Sequence, residues 1–182
     1  MKHLMCLSYF LCSFPVCCLA QAEATLGTMA VSQKTVHGNK HVEITIPVSS
    51  EKGLPQAAEV QVSCLFDYGL PQESADYAVT TKTKVKGYEV AKGQTTVSGL
   101  QKPGSRIANI RVTQADPIPA LIDQLTYGSK TRDKQSIAGY HIVLLVGGKE
   151  VDSRHWENET TVNRLKKDWE LPDAWWQAAR SP

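Results

Sequence analysis

Tyr140-His141-Ile142-Val143-Leu144-Leu145-Val146-Gly147-Gly148-Lys149-Glu150-Val151-Asp152 is the stretch that decides the fold. Tyr140, Ile142, Leu144 and Val146 share one face of an extended chain, while Val143 and Leu145 occupy the other. Apolar residues on both faces predict a central strand. Gly147-Gly148 suits a two-residue hairpin, whose central residues take positive φ. Glu150 to Ser153 then returns as the partner strand. An antiparallel sheet is therefore expected at this point of the chain.

Upstream the same period of two recurs. Val42, Ile44, Ile46 and Val48 alternate with Glu43 and Thr45, and Val60, Val62, Cys64 and Phe66 alternate with Gln61 and Ser63. Each run reads as a half-buried strand. Tyr77, Val79, Thr81, Thr83 and Val85 predict a third long extended segment, with Lys82, Lys84 and Lys86 on its opposite face. Tyr88–Ala91 and Thr95–Leu100 read as two short strands around a turn at Lys92-Gly93, and 107–112 as another strand. Ala120 to Tyr127 is ambiguous, with helical spacing at Leu121, Ile122 and Leu125. The end of the chain differs: Val162, Leu165 and Trp169 have helical spacing, Asn158 suits an N-cap, and Pro172 stops the helix. Strands separated by Gly and Pro turns, without regular strand–helix alternation, predict a mainly β chain. The expected architecture is an immunoglobulin-like antiparallel β-sandwich with a short helical C-terminal appendage.

The first 22 residues read as a secretory signal. Lys2 and His3 precede an uncharged, mostly apolar run from Leu4 to Val16, and Ala20-Gln21-Ala22 supplies small residues for cleavage. Cleavage is expected after Ala22, with Ala20 as the alternative. A membrane anchor is disfavoured by the short run and Pro15, and a lipoprotein by Val16 before Cys17. The expected organisation is a signal at 1–22, a polar N-terminal arm at 23–39, a sandwich at 40–157 and a Trp-rich helical tail at 158–182. Four of the five cysteines fall in the signal, leaving Cys64, so the exported chain is expected to rely on a hydrophobic core rather than a disulfide. The full chain of 182 residues carries a formal charge of +2, with 42% hydrophobic and 21% charged residues. That balance gives a packed core, and no electrostatic footprint for nucleic acid. No transmembrane segment is expected once the signal is removed.

Few side chains form a pattern that chemistry requires. His37 and His41 are four apart, but Gly38 and the strand near His41 argue against a shared helical face for zinc. Asp152, His155 and Glu157 carry ligand-type side chains, with a solvated turn as the plainer reading. Cys64 lies on an apolar strand face, where cysteine acts as a small hydrophobe. Neither a nucleophile elbow nor a phosphate loop is present in the sequence. No catalytic residue, cofactor or metal is expected. Lys82, Lys84 and Lys86 project about 7 Å apart from one strand face. They read either as a face for a polyanion or as charges that keep an edge strand from pairing. All four tryptophans lie from Trp156 onward. Trp169, Trp175 and Trp176 are candidates for core cover, for a partner-binding patch or for a sugar-stacking platform.

The hairpin from Tyr140 to Asp152 and the Trp-rich ending resemble the secreted immunoglobulin-like β-sandwich proteins of Verrucomicrobia and Planctomycetes. Val60–Phe66 and Thr95–Leu100 match further strands of that pattern. Some members are associated with pilus-like surface assemblies, and the resemblance implies no catalytic residue. The sequence lacks the long apolar helix after the signal that a type IV pilin would bring. The expectation is a non-enzymatic interaction or structural module, exported to the periplasm or cell surface or secreted. Its expected partner is an envelope or surface protein, or a second copy of itself. A carbohydrate-binding module, with a glycan as ligand, is the alternative.

Overall fold

Val42, Ile44, Ile46 and Val48 all point inward from β3 (Asn39–Ser50), and each is fully buried. In the computed structural model, which describes residues 23–36, 39–81, 86–113 and 136–178, this strand is the centre of one of two antiparallel sheets. Along one edge β3 pairs with β1 (Thr25–Leu26) and then β2 (Ala30–Val36); β6 (Gly104–Thr113) runs along the other. The second sheet has the order β5 (Tyr88–Val97), β4 (Ala58–Asp67), β7 (Ser136–Val146), β8 (Lys149–Glu157). Labelled as in immunoglobulin domains, these are sheets A-B-E and C′-C-F-G, so the expected sandwich is present. Val60, Val62, Cys64 and Phe66 on β4 meet Ile142 and Leu144 on β7 and the inward face of β3 to form the inter-sheet core. Burial of the Cys64 thiol pushes its pKa up to about 12.

The hairpin between β7 and β8 is the one expected. Gly147 and Gly148 take φ of 59° and 77°, and Val146 pairs with Lys149 across them. The C-terminal helix α2 (Glu159–Trp169) also forms as its sequence dictates. Asn158 caps it by accepting from Thr161 N at 3.1 Å, and Glu170 closes it in the left-handed conformation. A bulge that opposes Leu65 and Phe66 to Gly139 and Ile137 leaves Ala138 extra, and the Ala138 carbonyl accepts from Asn158 N at 2.8 Å. The irregularity in β7 thus fixes where α2 begins.

Three expectations are corrected. The segment 23–39 is not a lead-in arm: β1 and β2 are edge strands of the first sheet, interrupted where Pro47 of β3 has no N–H to donate. There Gly27 N–H bonds to the Pro47 carbonyl at 2.7 Å. The third extended segment does not exist as drawn. Residues Gln72–Thr81 form helix α1, which starts directly after Pro71 with Glu73 in its first turn. Proline pre-sets a helical φ and an acidic residue suits the N-terminal dipole, and these outweigh a local alternation of β-branched residues. The turn at Lys92-Gly93 is also absent, because β5 is continuous. Gly93 instead lets two strands approach: a Cβ there would stand 2.9 Å from the Arg111 carbonyl and from Ile110 Cγ2. The residues of the expected signal, Ala120–Tyr127 and His37 lie outside the described residues.

Candidate functional site

Strand register orders the outer face of the second sheet into transverse rows. Opposed residues in an antiparallel pair share a face, so Val90, Leu65, Gly139 and Glu157 form one row across β5, β4, β7 and β8. The next is Lys92, Ser63, His141, His155, and the one after it Gln94, Gln61, Val143, Ser153. Moving along the strands, the face changes from apolar to polar in two steps.

The apolar row is covered by the C-terminal segment. Val162, Leu165 and Trp169 of α2, then Leu171 and Trp175, pack on Leu65 and Ala138 as a second core. Trp175 opens the short helix α3 (Trp175–Ala178) and is completely buried. It fits because residue 139 is glycine; a Cβ there would lie 3.0 Å from Trp175 Cζ2. Its indole N–H donates to Glu157 Oε1 at 2.5 Å, and His155 Nε2 lies 3.2 Å from the same oxygen. Trp169 lies over Gly87, where any Cβ would overlap the indole. Arg164 of α2 reaches the β4–α1 loop, donating to Asp67 Oδ1 at 2.5 Å and to the Leu70 carbonyl at 3.1 Å. The tail is thus an integral part of the fold. Of the three tryptophans considered for a partner, Trp169 and Trp175 are core residues, which corrects that reading for both.

Trp176 is different. It is only partly buried and stands at the border of the polar rows, stacked on His141 at 5.2 Å and packed against His155 at 4.4 Å. Beside this wall the sheet face is a concave groove of about 570 Å³, lined by Gln61, Ser63, Lys92, Gln94, His141 and Val143. Cross-strand register alone brings His141 and His155 together, and sequence spacing gave no signal of it.

A second feature lies on the flank where β1 of one sheet, with β2 following it along the same edge of β3, faces β8 of the other. Asp152 and Arg154 point inward from β8. Asp152 Oδ2 accepts from Leu26 N at 2.8 Å, and Arg154 Nη2 donates to the Leu26 carbonyl at 2.9 Å. These two side chains occupy the free backbone groups of β1, which would otherwise offer an edge. Asp152 Oδ1 also accepts from Ser153 N at 2.8 Å. No such guard covers β2 among the described residues. Next to it a cleft of about 400 Å³ is lined by Thr28, Met29, Tyr140 and Arg154. Val31 and Trp156 leave 39% and 43% of their surfaces exposed on the inward side of their strands, and Trp156 stacks on Tyr140 at 5.4 Å.

The remaining sequence candidates separate. Asp152 faces inward while His155 and Glu157 face outward, all three on β8 rather than on a solvated turn. His41 lies 3.1 Å from Thr113 Oγ1. Among the described residues no group of three or more His, Cys, Asp or Glu is placed to hold a metal. Lys82 and Lys84 lie outside the described residues. Lys86 is exposed, with its ammonium 5.6 Å from the centre of the Tyr88 ring. No described helix is long and apolar enough to cross a membrane.

No family model matches the chain, and no curated protein matches it. Solved structures with slight similarity include a protein from Akkermansia muciniphila, at 12% identity and TM-score 0.35 over 76% of this chain and 71% of that one. A second is DesR, a beta-glucosidase from Streptomyces venezuelae, at 15% identity and TM-score 0.30 over 74% of this chain and 14% of the enzyme. The alkylpurine DNA glycosylase AlkC of Pseudomonas fluorescens aligns at 15% identity and TM-score 0.28, over 75% of this chain and 30% of that chain. Similarity this slight transfers neither a ligand nor an activity.

Proposed function

We propose that the protein is an exported, non-enzymatic interaction module that binds an envelope or surface protein, or a second copy of itself, through the flank at β2. The observation that carries this reading is the contrast between two neighbouring edges. The backbone of β1 is capped by Asp152 and Arg154, whereas among the described residues β2 beside it has no such cap, and Val31 on β2 and Trp156 on β8 are left part-exposed on the inward sides of their strands. An extended segment added to β2 would continue the first sheet and lower its inward side chains toward Trp156. Strand addition works in this way, with main-chain hydrogen bonds supplying affinity and alternate side chains supplying specificity. The signal-like residues 1–22 support export to the periplasm or cell surface.

Light scattering across a concentration series, followed by affinity capture from envelope extract, tests the proposal. Val31→Lys and Trp156→Ser should each abolish the association while leaving the melting temperature within a few degrees. Association that survives both substitutions, or its absence from both assays, would refute the reading.

A further inference from the structure

We infer that the groove on the outer face of the second sheet is a binding site for a neutral oligosaccharide. It faces away from the inter-sheet core and is distinct from the β2 flank, so it does not depend on the reading above. Its floor is Val143, only 3% exposed although it points out of the sandwich. Gln61, Ser63, Lys92 and Gln94 surround it, and His141 backed by Trp176 closes one end. At about 570 Å³ the space falls in the range of about 300–1,000 Å³ usual for small-molecule sites.

The chemistry of the lining selects the ligand class. Two carboxamides and a hydroxyl each both donate and accept hydrogen bonds, as vicinal sugar hydroxyls do. Gln61 is already oriented, since its Nε2 donates to Glu59 Oε1 at 2.8 Å and its carbonyl oxygen is left to accept. Among the described lining residues Lys92 alone has a fixed formal charge, too little there to favour a polyanion over a neutral chain. Trp175, buried over Gly139, packs edge-on against Trp176, which stacks on His141 at 5.2 Å, so the imidazole that lines the groove is held by the indole behind it and presents a ring to the CH groups of a pyranose. A solvated sheet face has the same polar residues but no such wall.

The test is tryptophan-fluorescence titration of the purified protein with neutral tetrasaccharides of glucose, N-acetylglucosamine, mannose and galactose, with sulfated and uronic-acid oligosaccharides alongside. At least one neutral tetrasaccharide should give a saturable response that persists in 0.5 M salt, a concentration chosen to be about the strength that screens surface charge. The Gln61→Ala/Gln94→Ala double variant should weaken binding about tenfold or more, as expected for lost polar contacts, with an unchanged melting temperature. Gln94→Ala alone, on an exposed edge-strand residue, should weaken it in the same direction should the double variant fail to fold. Silence toward all the neutral sugars, binding that survives the substitutions in folded protein, or a response confined to anionic sugars and lost with salt would each overturn the assignment.

Discussion

Trp175→Ala is the substitution that most sharply probes why the C-terminal segment belongs to the fold. The indole is completely buried between Leu65, Gly139 and the end of α2. A buried tryptophan removes about 150–250 Å² from water. At about 25 cal/mol per Å² that is about 4–6 kcal/mol, an upper figure because unfolded chains are already partly compact. The cavity would persist, since Gly139 has no side chain to relax into it. Loss of the indole N–H adds little, because Glu157 keeps His155 at 3.2 Å and 24% of its side chain is exposed. The expected cost is about 3–5 kcal/mol, the range for large aromatic truncations in cores. For a chain of this size that lowers the melting temperature by about 6–20 °C, at about 2–4 °C per kcal/mol. Urea unfolding followed by far-ultraviolet circular dichroism reads the free energy. Trp176→Ala, removing a partly buried ring, should cost less than half as much. A Trp175→Ala protein within about 1 kcal/mol of wild type would refute the claim that the tail is core, since surface substitutions stay within about 0.5 kcal/mol.

Further outcomes follow from single contacts. Cys64 should resist a maleimide in the native protein and react fully in denaturant. Its folded pKa of about 12 exceeds the ordinary value of 9.0, so its contribution to stability is complete below pH 9 and declines, at up to about 1.4 kcal/mol per pH unit, as pH rises toward 12. Gly93→Ala should cost about 1–3 kcal/mol in a thermal melt, because the new Cβ meets the Arg111 carbonyl at 2.9 Å. Asp152→Ala should strip the Leu26 N–H of its acceptor, costing about 1–3 kcal/mol and accelerating hydrogen exchange at that amide.

Much of the fold is legible in the sequence, and what is missed has a common cause. Strands β3, β4 and β7 bury one full face under the opposite sheet, so burial wrote the alternation into their residues. In β2 the inward positions Val31 and Gln33 pair with Ile44 and Val42 but lie at an edge. Without burial there is no alternation to read, and Ala30–Val36 passes for a polar arm. Gly93 misleads for another reason: the same residue serves a turn or a close approach of backbones, and only tertiary structure decides between them. Helix α1 is signalled by Pro71 and Glu73, but the alternation from Tyr77 to Val85 reads more strongly. The candidate groove is the least legible part. Its rows depend on register between β5, β4, β7 and β8, which periodicity alone does not carry. The tryptophan count draws attention to the right end of the chain, yet only Gly139 on a distant strand separates the buried Trp175 from Trp176.

The claim that the flank at β2 is the interaction surface is tested most directly by site-specific photocrosslinking in the cell that makes the protein. A photoreactive residue would be placed at Val31 or, as control, at Ile107, which is 64% exposed on the outer face of the first sheet. The account predicts a discrete covalent adduct from position 31, to an envelope or surface protein or to a second copy of the chain, and none from position 107. Equal adducts from both positions, or none from position 31, would contradict it.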